Sequence, residues 1–108
     1  MEFFAGLVTS DAEAREFDLQ VLPREADRTF IEETDYRTSY LGVVQVSGLN
    51  SSMSIWLVDI AATPEQLGLV LRLEDEPPHS DDRVITTFLV RVQKQHRAPP
   101  QRIWVQLS

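Results

Sequence analysis

The stretch Thr63-Pro64-Glu65-Gln66-Leu67-Gly68-Leu69-Val70-Leu71-Arg72-Leu73 decides the fold class of this chain. Thr63 followed by Pro64, with Gln66 three residues on, has the form of a helix start, since proline suits the first helical position and the spacing is that of a capping box. The leucines argue the other way. Leu67, Leu69, Leu71 and Leu73 recur at every second residue. On a helix advancing 100° per residue they would scatter round the axis and leave no polar face, whereas on a strand all four point to one side. Period two is the stronger signal, so Thr63–Gln66 reads as a turn and Leu67–Glu74 as a strand. The alternative is an α+β fold with one helix near residues 64–73.

Working outward, the same alternation recurs. Phe17, Leu19 and Val21 alternate with Asp18 and Gln20, and Ile103, Val105 and Leu107 alternate with Arg102, Trp104 and Gln106, each predicting a strand with one wet face. The runs Tyr40–Gly48 and Met53–Ile60 flank Leu49-Asn50-Ser51-Ser52, whose turn formers predict a hairpin. Val84–Val92 is β-branched and apolar on both faces at its start, the pattern of a central strand covered on both sides. Phe3–Val8 and, more weakly, Arg28–Glu33 complete eight candidate strands, and Ser10-Asp11-Ala12-Glu13 has the capping-box spacing of a single helical turn. The expectation is one all-β domain over residues 1–108, an antiparallel β-sandwich or jelly roll of about eight strands.

Composition narrows the chemistry. With 108 residues, 43% hydrophobic and 25% charged, the chain has the make-up of a globular domain with one core. The absence of cysteine excludes disulfides, thiolate nucleophiles and cysteine-held metal. No apolar run approaches the ~20 residues that cross a bilayer, and Met1-Glu2-Phe3-Phe4 lacks the basic flank of a secretory signal. A soluble protein of the cytoplasm or nucleus is expected, with no membrane association. The four glycines are scattered, so no phosphate-cradling loop is present. His79 and His96 each stand beside a proline pair with no triad-like neighbours. No enzymatic activity and no cofactor are expected.

Charge is segregated along the chain. The net charge is −7, and the first 35 residues hold ten carboxylates against three arginines. From Arg83 onward there is no acid among Arg83, Arg91, Lys94, Arg97 and Arg102. A net negative field repels phosphate backbones and argues against nucleic acid as partner. The basic C-terminal pair of strands, read as a hairpin, is expected to meet the acidic N-terminal half within the chain or across a subunit boundary. The loop Glu74–Asp82 carries Glu74, Asp75, Glu76, Asp81 and Asp82 but not the Asp-x-Asp-x-Asp-Gly order that wraps an ion, so it reads as a solvated acidic loop rather than a metal site. Trp56, between Ile55 and Leu57, reads as core, whereas Trp104 beside Arg102 on a wet face reads as an interface.

Two family resemblances follow from particular residues. Arg24-Glu25-Ala26-Asp27-Arg28 and Gln45-Val46-Ser47-Gly48-Leu49-Asn50 resemble the arginine pair and the Asp/Asn-x-Ser-x-x-Gly element of PilZ domains, with Gln45 and Asn50 departing from that pattern. The resemblance implies cyclic-dinucleotide binding. Phe3-Phe4-Ala5-Gly6-Leu7-Val8, followed by an acidic linker and Glu16-Phe17-Asp18-Leu19, resembles the first hairpin of nucleoplasmin-like domains. That resemblance implies a jelly-roll subunit of an oligomeric chaperone for basic proteins. The final strand departs from it, since Arg97-Ala98-Pro99-Pro100-Gln101-Arg102-Ile103-Trp104 stands where the family has Gly-Pro-Val.

The first expectation is therefore a non-enzymatic, acidic interaction module, a homo-oligomer whose Glu74, Asp75, Glu76, Asp81 and Asp82 attract a basic protein, with Trp104 and Arg102 at the interface. A small monomeric inhibitor or immunity-type protein blocking a basic site is the alternative, and PilZ-like nucleotide binding the third.

Overall fold

The computed structural model describes residues 1–17, 25–78, 81–95 and 98–108. Along the chain these form β1 (Glu2–Val8), α1 (Asp11–Glu16), α2 (Glu25–Glu33), β2 (Ser39–Leu49), β3 (Met53–Ala62), β4 (Gln66–Asp75), β5 (Val84–Gln93) and β6 (Arg102–Leu107). The fold is mostly β, with two three-stranded sheets. Sheet A has the order β1-β2-β5 and sheet B the order β3-β4-β6.

The deciding stretch is a strand. Leu67, Leu69 and Leu71 are fully buried on one face of β4, as period two requires. The helix-like opening makes a hairpin turn instead: Thr63 N–H donates to Gln66 O (2.9 Å) and Gln66 N–H to Thr63 Oγ1 (3.1 Å). β3 and β4 pair antiparallel on either side of it, with a register shift between Leu57 and Asp59. On β2, Tyr40, Val44 and Val46 meet those leucines in one core, joined by Val90 of β5 and flanked by Ile103 and Val105 of β6. The sheets lie close together at Gly42, where a Cβ would stand 2.5 Å from Leu67 Cδ2 and 3.4 Å from Ile103 Cδ1. Any larger residue there would hold the sheets apart.

The opposite face of sheet A carries a second cluster, with Val8, Leu41 and Val43 packed against Ala14, Ile31 and Tyr36 and flanked by Phe17, Phe30 and Leu89. Helix α1 follows its capping box. Ser10 Oγ accepts from Glu13 N–H (3.1 Å), and the Glu13 carboxylate reaches back to Thr9, accepting from its N–H (3.3 Å) and hydroxyl (2.7 Å).

Several expectations are corrected. Arg28–Glu33 lies in helix α2, not in a strand. Glu25 and Asp27 favour a helix N-terminus, and Phe30, Ile31 and Thr34 fall on one helical face toward sheet A while Glu32 and Glu33 remain outside. The runs around Leu49–Ser52 do not form a hairpin, since β2 belongs to sheet A and β3 to sheet B. Gly48, at φ 78°, and a register shift between Val46 and Leu49 turn the strand out of its plane. Asn50 then folds the chain over, its side-chain oxygen accepting from Ser52 N–H (3.0 Å) and its carbonyl from Met53 N–H (3.1 Å). β5 is an edge strand rather than a central one, with Ile85 57% exposed, and the central strand of sheet A is β2. β6 pairs with β4 in parallel, because the chain between β5 and β6 passes from sheet A to sheet B instead of turning back as a hairpin. The described residues thus hold six strands. Of the expected strand at Phe17–Val21, Phe17 follows α1 and packs edge-on against Phe4 (6.3 Å, 76°), while Leu19 and Val21 lie outside the described residues.

Candidate functional site

The expected partner-binding carboxylates come together at one end of the molecule. Glu74 and Asp75 close β4, and the following loop is tied to the turn between β2 and β3. Glu76 N–H donates to Ser52 O (3.2 Å), Ser51 N–H donates to Asp82 Oδ1 (3.0 Å), and the single Ser52 hydroxyl proton is shared between Asn50 Oδ1 (2.5 Å) and Asp75 Oδ1 (3.1 Å). Two of the five acids therefore brace the loop at both of its roots, while Glu74, Glu76 and Asp81 extend into solvent. Glu2, at the start of β1, lies on the rim of the same shallow hollow as Asp81 and Asp82. The hollow is open, and its lining mixes Met1, Leu49, Val84 and Ile85 with Ser47, Asn50 and the cation Arg83.

The opposite end brings acidic and basic halves of the chain together through neutral groups. Arg91 of β5 reaches helix α2, where its guanidinium lies 4.3 Å from the Phe30 ring centroid and donates to Thr34 Oγ1 through Nε (3.2 Å) and Nη2 (3.1 Å). Lys94 Nζ donates to the carbonyl of Tyr36, whose own hydroxyl is buried and donates to Ile31 O (2.6 Å). Burial pushes the Tyr36 phenol up to about 12 and raises that of Tyr40. Arg37 pairs with Asp35 in an exposed fork (3.1 Å), and its side-chain and backbone N–H groups hold the Asp35 carboxyl below its ordinary value. Arg91 and Lys94 thus meet α2 and the segment after it through a ring, a hydroxyl and a carbonyl, with no carboxylate among these partners, and β5 and β6 form no basic hairpin.

The expected interface residues lie on the outer face of sheet B. Trp104 stands opposite Gly68 on β4, and its indole occupies the space a Cβ at Gly68 would fill, 2.0 Å from Cζ2. Arg102 is exposed one row away, opposite Gln66. Trp56 is corrected from core to this same face: its neighbours Ile55 and Leu57 pack inward, and Trp56 stands opposite Arg72. Strict alternation through Ile55-Trp56-Leu57 was the signal available in the sequence. Both helices pack on sheet A, so no described helix covers these tryptophans.

The nucleotide-binding pattern is not assembled by the described residues. Arg24 lies outside them, Arg28 is exposed on α2, and the Gln45 amide donates toward Thr87 Oγ1 on β5 at 3.5 Å. His79 and His96 also lie outside the described residues. Among the described residues no group of three His, Cys, Asp or Glu side chains is placed to hold a metal ion, and no helix is long and apolar enough to cross a membrane. No protein-family model matches the chain, and no curated protein and no solved structure does.

Proposed function

We propose that this chain is a non-catalytic interaction module whose acidic end receives a basic segment of a protein partner. The observation that carries the reading is the bracing of the loop after β4. Hydrogen bonds from Ser51 and Ser52 to Asp82 and Asp75 fix the roots of that loop and leave Glu74, Glu76 and Asp81 exposed beside them. A preplaced set of carboxylates on an open surface attracts cations by its field, without a fitted pocket, and such attraction is strongly salt-dependent. In the same reading the two-sheet body is a jelly-roll-like chaperone subunit, as the resemblance to nucleoplasmin-like domains implies.

The test is titration of a short lysine- and arginine-rich peptide, followed by fluorescence anisotropy at low salt and at about 0.5 M, where the screening length is about 4 Å. The variant Glu74→Gln/Glu76→Gln/Asp81→Asn leaves both serine braces intact. A loss of about tenfold or more in its affinity is the expected result. Affinity unchanged by either the substitutions or the salt would overturn the proposal.

A further inference from the structure

We propose that the outer face of sheet B is a self-association surface, on which two copies pack face to face with Arg72 of each stacked on the Trp104 indole of the other. The argument begins with what the face carries. Across β3, β4 and β6 it presents Trp56, Val70 and Trp104 among two acids, Asp59 and Glu74, and two cations, Arg72 and Arg102. The face is thus locally neutral on a chain of net charge −7. Its two acids and two cations cancel, so a second copy meets no net repulsion across this face. Neither Arg72 nor Arg102 forms an ion pair among the described residues.

The order of these groups along β4 is self-complementary. Trp104 sits over Gly68, two residues before Val70, and Arg72 lies two residues after it. A twofold axis lying in the interface, crossing the strands at Val70, reverses the strand direction in the second copy and exchanges these two rows. Each row is displaced about 7 Å from the axis, at about 3.3 Å per residue. Arg72 then faces the indole lying over the other copy's Gly68, Val70 meets Val70, and on the same row Asp59 meets Asp59, a like-charge contact that weakens the others. The next row out repeats the match with charge, bringing Glu74 toward Gln66 of the other copy and the neighbouring Arg102. A closed dimer needs such reciprocity, residue i on j and j on i, and one axis here supplies a cation–π contact and an ion pair twice over. Gly68 is what allows it, since a side chain there would lift the indole off the sheet.

The face is small. Three strands at about 4.8 Å spacing and eight residues of length make a footprint of roughly 400 Å² per copy, about 800 Å² in total and below the size of a stable interface, so the dimer is weak and concentration-dependent rather than permanent. Sedimentation velocity on the full chain from about 10 μM to about 1 mM should show a monomer–dimer equilibrium. Glu74→Arg and Arg102→Glu each should weaken it by about tenfold, and the double exchange Glu74→Arg/Arg102→Glu should restore it. Glu74→Arg lowers the net negative charge, so its weakening cannot come from general repulsion. Circular dichroism melts confirm that each variant is folded. A wild-type chain that stays monomeric at about 1 mM overturns the proposal, as does a dimer indifferent to both single exchanges or one that the double exchange fails to rescue.

Discussion

Gly42→Ala tests the closeness of the two sheets directly. Gly42 stands at the middle of β2, paired with Leu7 on one side and Val90 on the other, and the added Cβ would lie 2.5 Å from Leu67 Cδ2 and 3.4 Å from Ile103 Cδ1. Leu67 is fully buried, so its methyl group has no free space to turn into and the sheets must separate or the leucine leave its rotamer. Overpacking of this kind costs about 1–3 kcal/mol. Alanine in a strand recovers about 0.5–1 kcal/mol of backbone entropy relative to glycine. The difference centres on a destabilisation of about 1 kcal/mol, which for a domain of this size lowers Tm by about 4–8 °C. Urea and thermal melts by circular dichroism measure it. The double variant Gly42→Ala/Leu67→Ala separates the clash from any general effect, because removing Leu67 Cδ2 should make the alanine neutral or favourable in that background. A Gly42→Ala protein as stable as wild type, or a penalty that persists unchanged when Leu67 is truncated, would refute the packing described for these sheets.

Three further outcomes follow from particular contacts. Arg91→Leu removes the guanidinium from Phe30 and Thr34 and should destabilise the chain by about 1–2 kcal/mol, with faster hydrogen exchange confined to α2 and its neighbours; Arg91→Lys should recover only part, since a point charge cannot both cover the ring and donate twice to Thr34. Tyr36→Phe should cost about 1 kcal/mol by removing the bond to Ile31 O. The Tyr36 phenol rises from 10.0 unfolded to about 12 folded, so its neutral form stabilises the fold fully below pH 10.0 and that contribution is lost as the pH climbs to about 12. Alkaline denaturation should shift accordingly, and Tyr36→Phe should flatten the pH dependence in that window. Ser10→Ala, which frees the Glu13 N–H at the start of α1, should cost about 0.5–2 kcal/mol in urea melts.

The parts of this fold legible in the sequence are those where one periodicity had no competitor. Leu67, Leu69, Leu71 and Leu73 left no polar helical face, and the strand followed. Ser10 and Glu13 predicted a helical turn because a capping box satisfies specific backbone donors, and α1 is built on it. Helix α2 was missed because Phe30 and Ile31 are adjacent; two neighbouring apolar residues among charges match a short strand as well as a helix until the sheet beneath them is known. The residues around Asn50 predict a turn, which is present, and a hairpin, which is not. Asx-turn chemistry is local and identical whether the chain folds back into its own sheet or over to another, and the deciding bend at Gly48 depends on a left-handed φ that several residue contexts allow. The apolar neighbours of Trp56 suggest the core, whereas alternation with the inward-facing Ile55 and Leu57 places it outside. Of the candidate site, the acidic loop is legible as charge, but its bracing by Ser51 and Ser52 is not, because those bonds join residues 31 and 23 positions apart in sequence.

Salt separates the two surfaces proposed here. The acidic end attracts a basic partner across solvent, through exposed carboxylates whose field is screened to about 4 Å at about 0.5 M, so its affinity should fall steeply and monotonically with ionic strength. Self-association through sheet B involves opposing effects. Added salt weakens the exposed Glu74–Arg102 attraction, but it also screens the repulsion between two bodies that each carry −7. The contact of Arg72 with the Trp104 indole and the meeting of the Val70 side chains are short-range and partly desolvated, and salt affects them least. The dimer constant should therefore change by less than about threefold between about 0.05 and 0.5 M while peptide affinity falls by about tenfold or more. In the dimer the two acidic ends point to opposite poles, because the axis at Val70 reverses the strands, so Glu76 and Asp81 of each copy stay free while Glu74 is shared between the peptide surface and the dimer contact. Parallel sedimentation and anisotropy titrations over the same salt series measure both quantities. A dimer that dissociates as steeply with salt as the peptide does would mean that exposed charge, rather than the tryptophan face, holds the copies together.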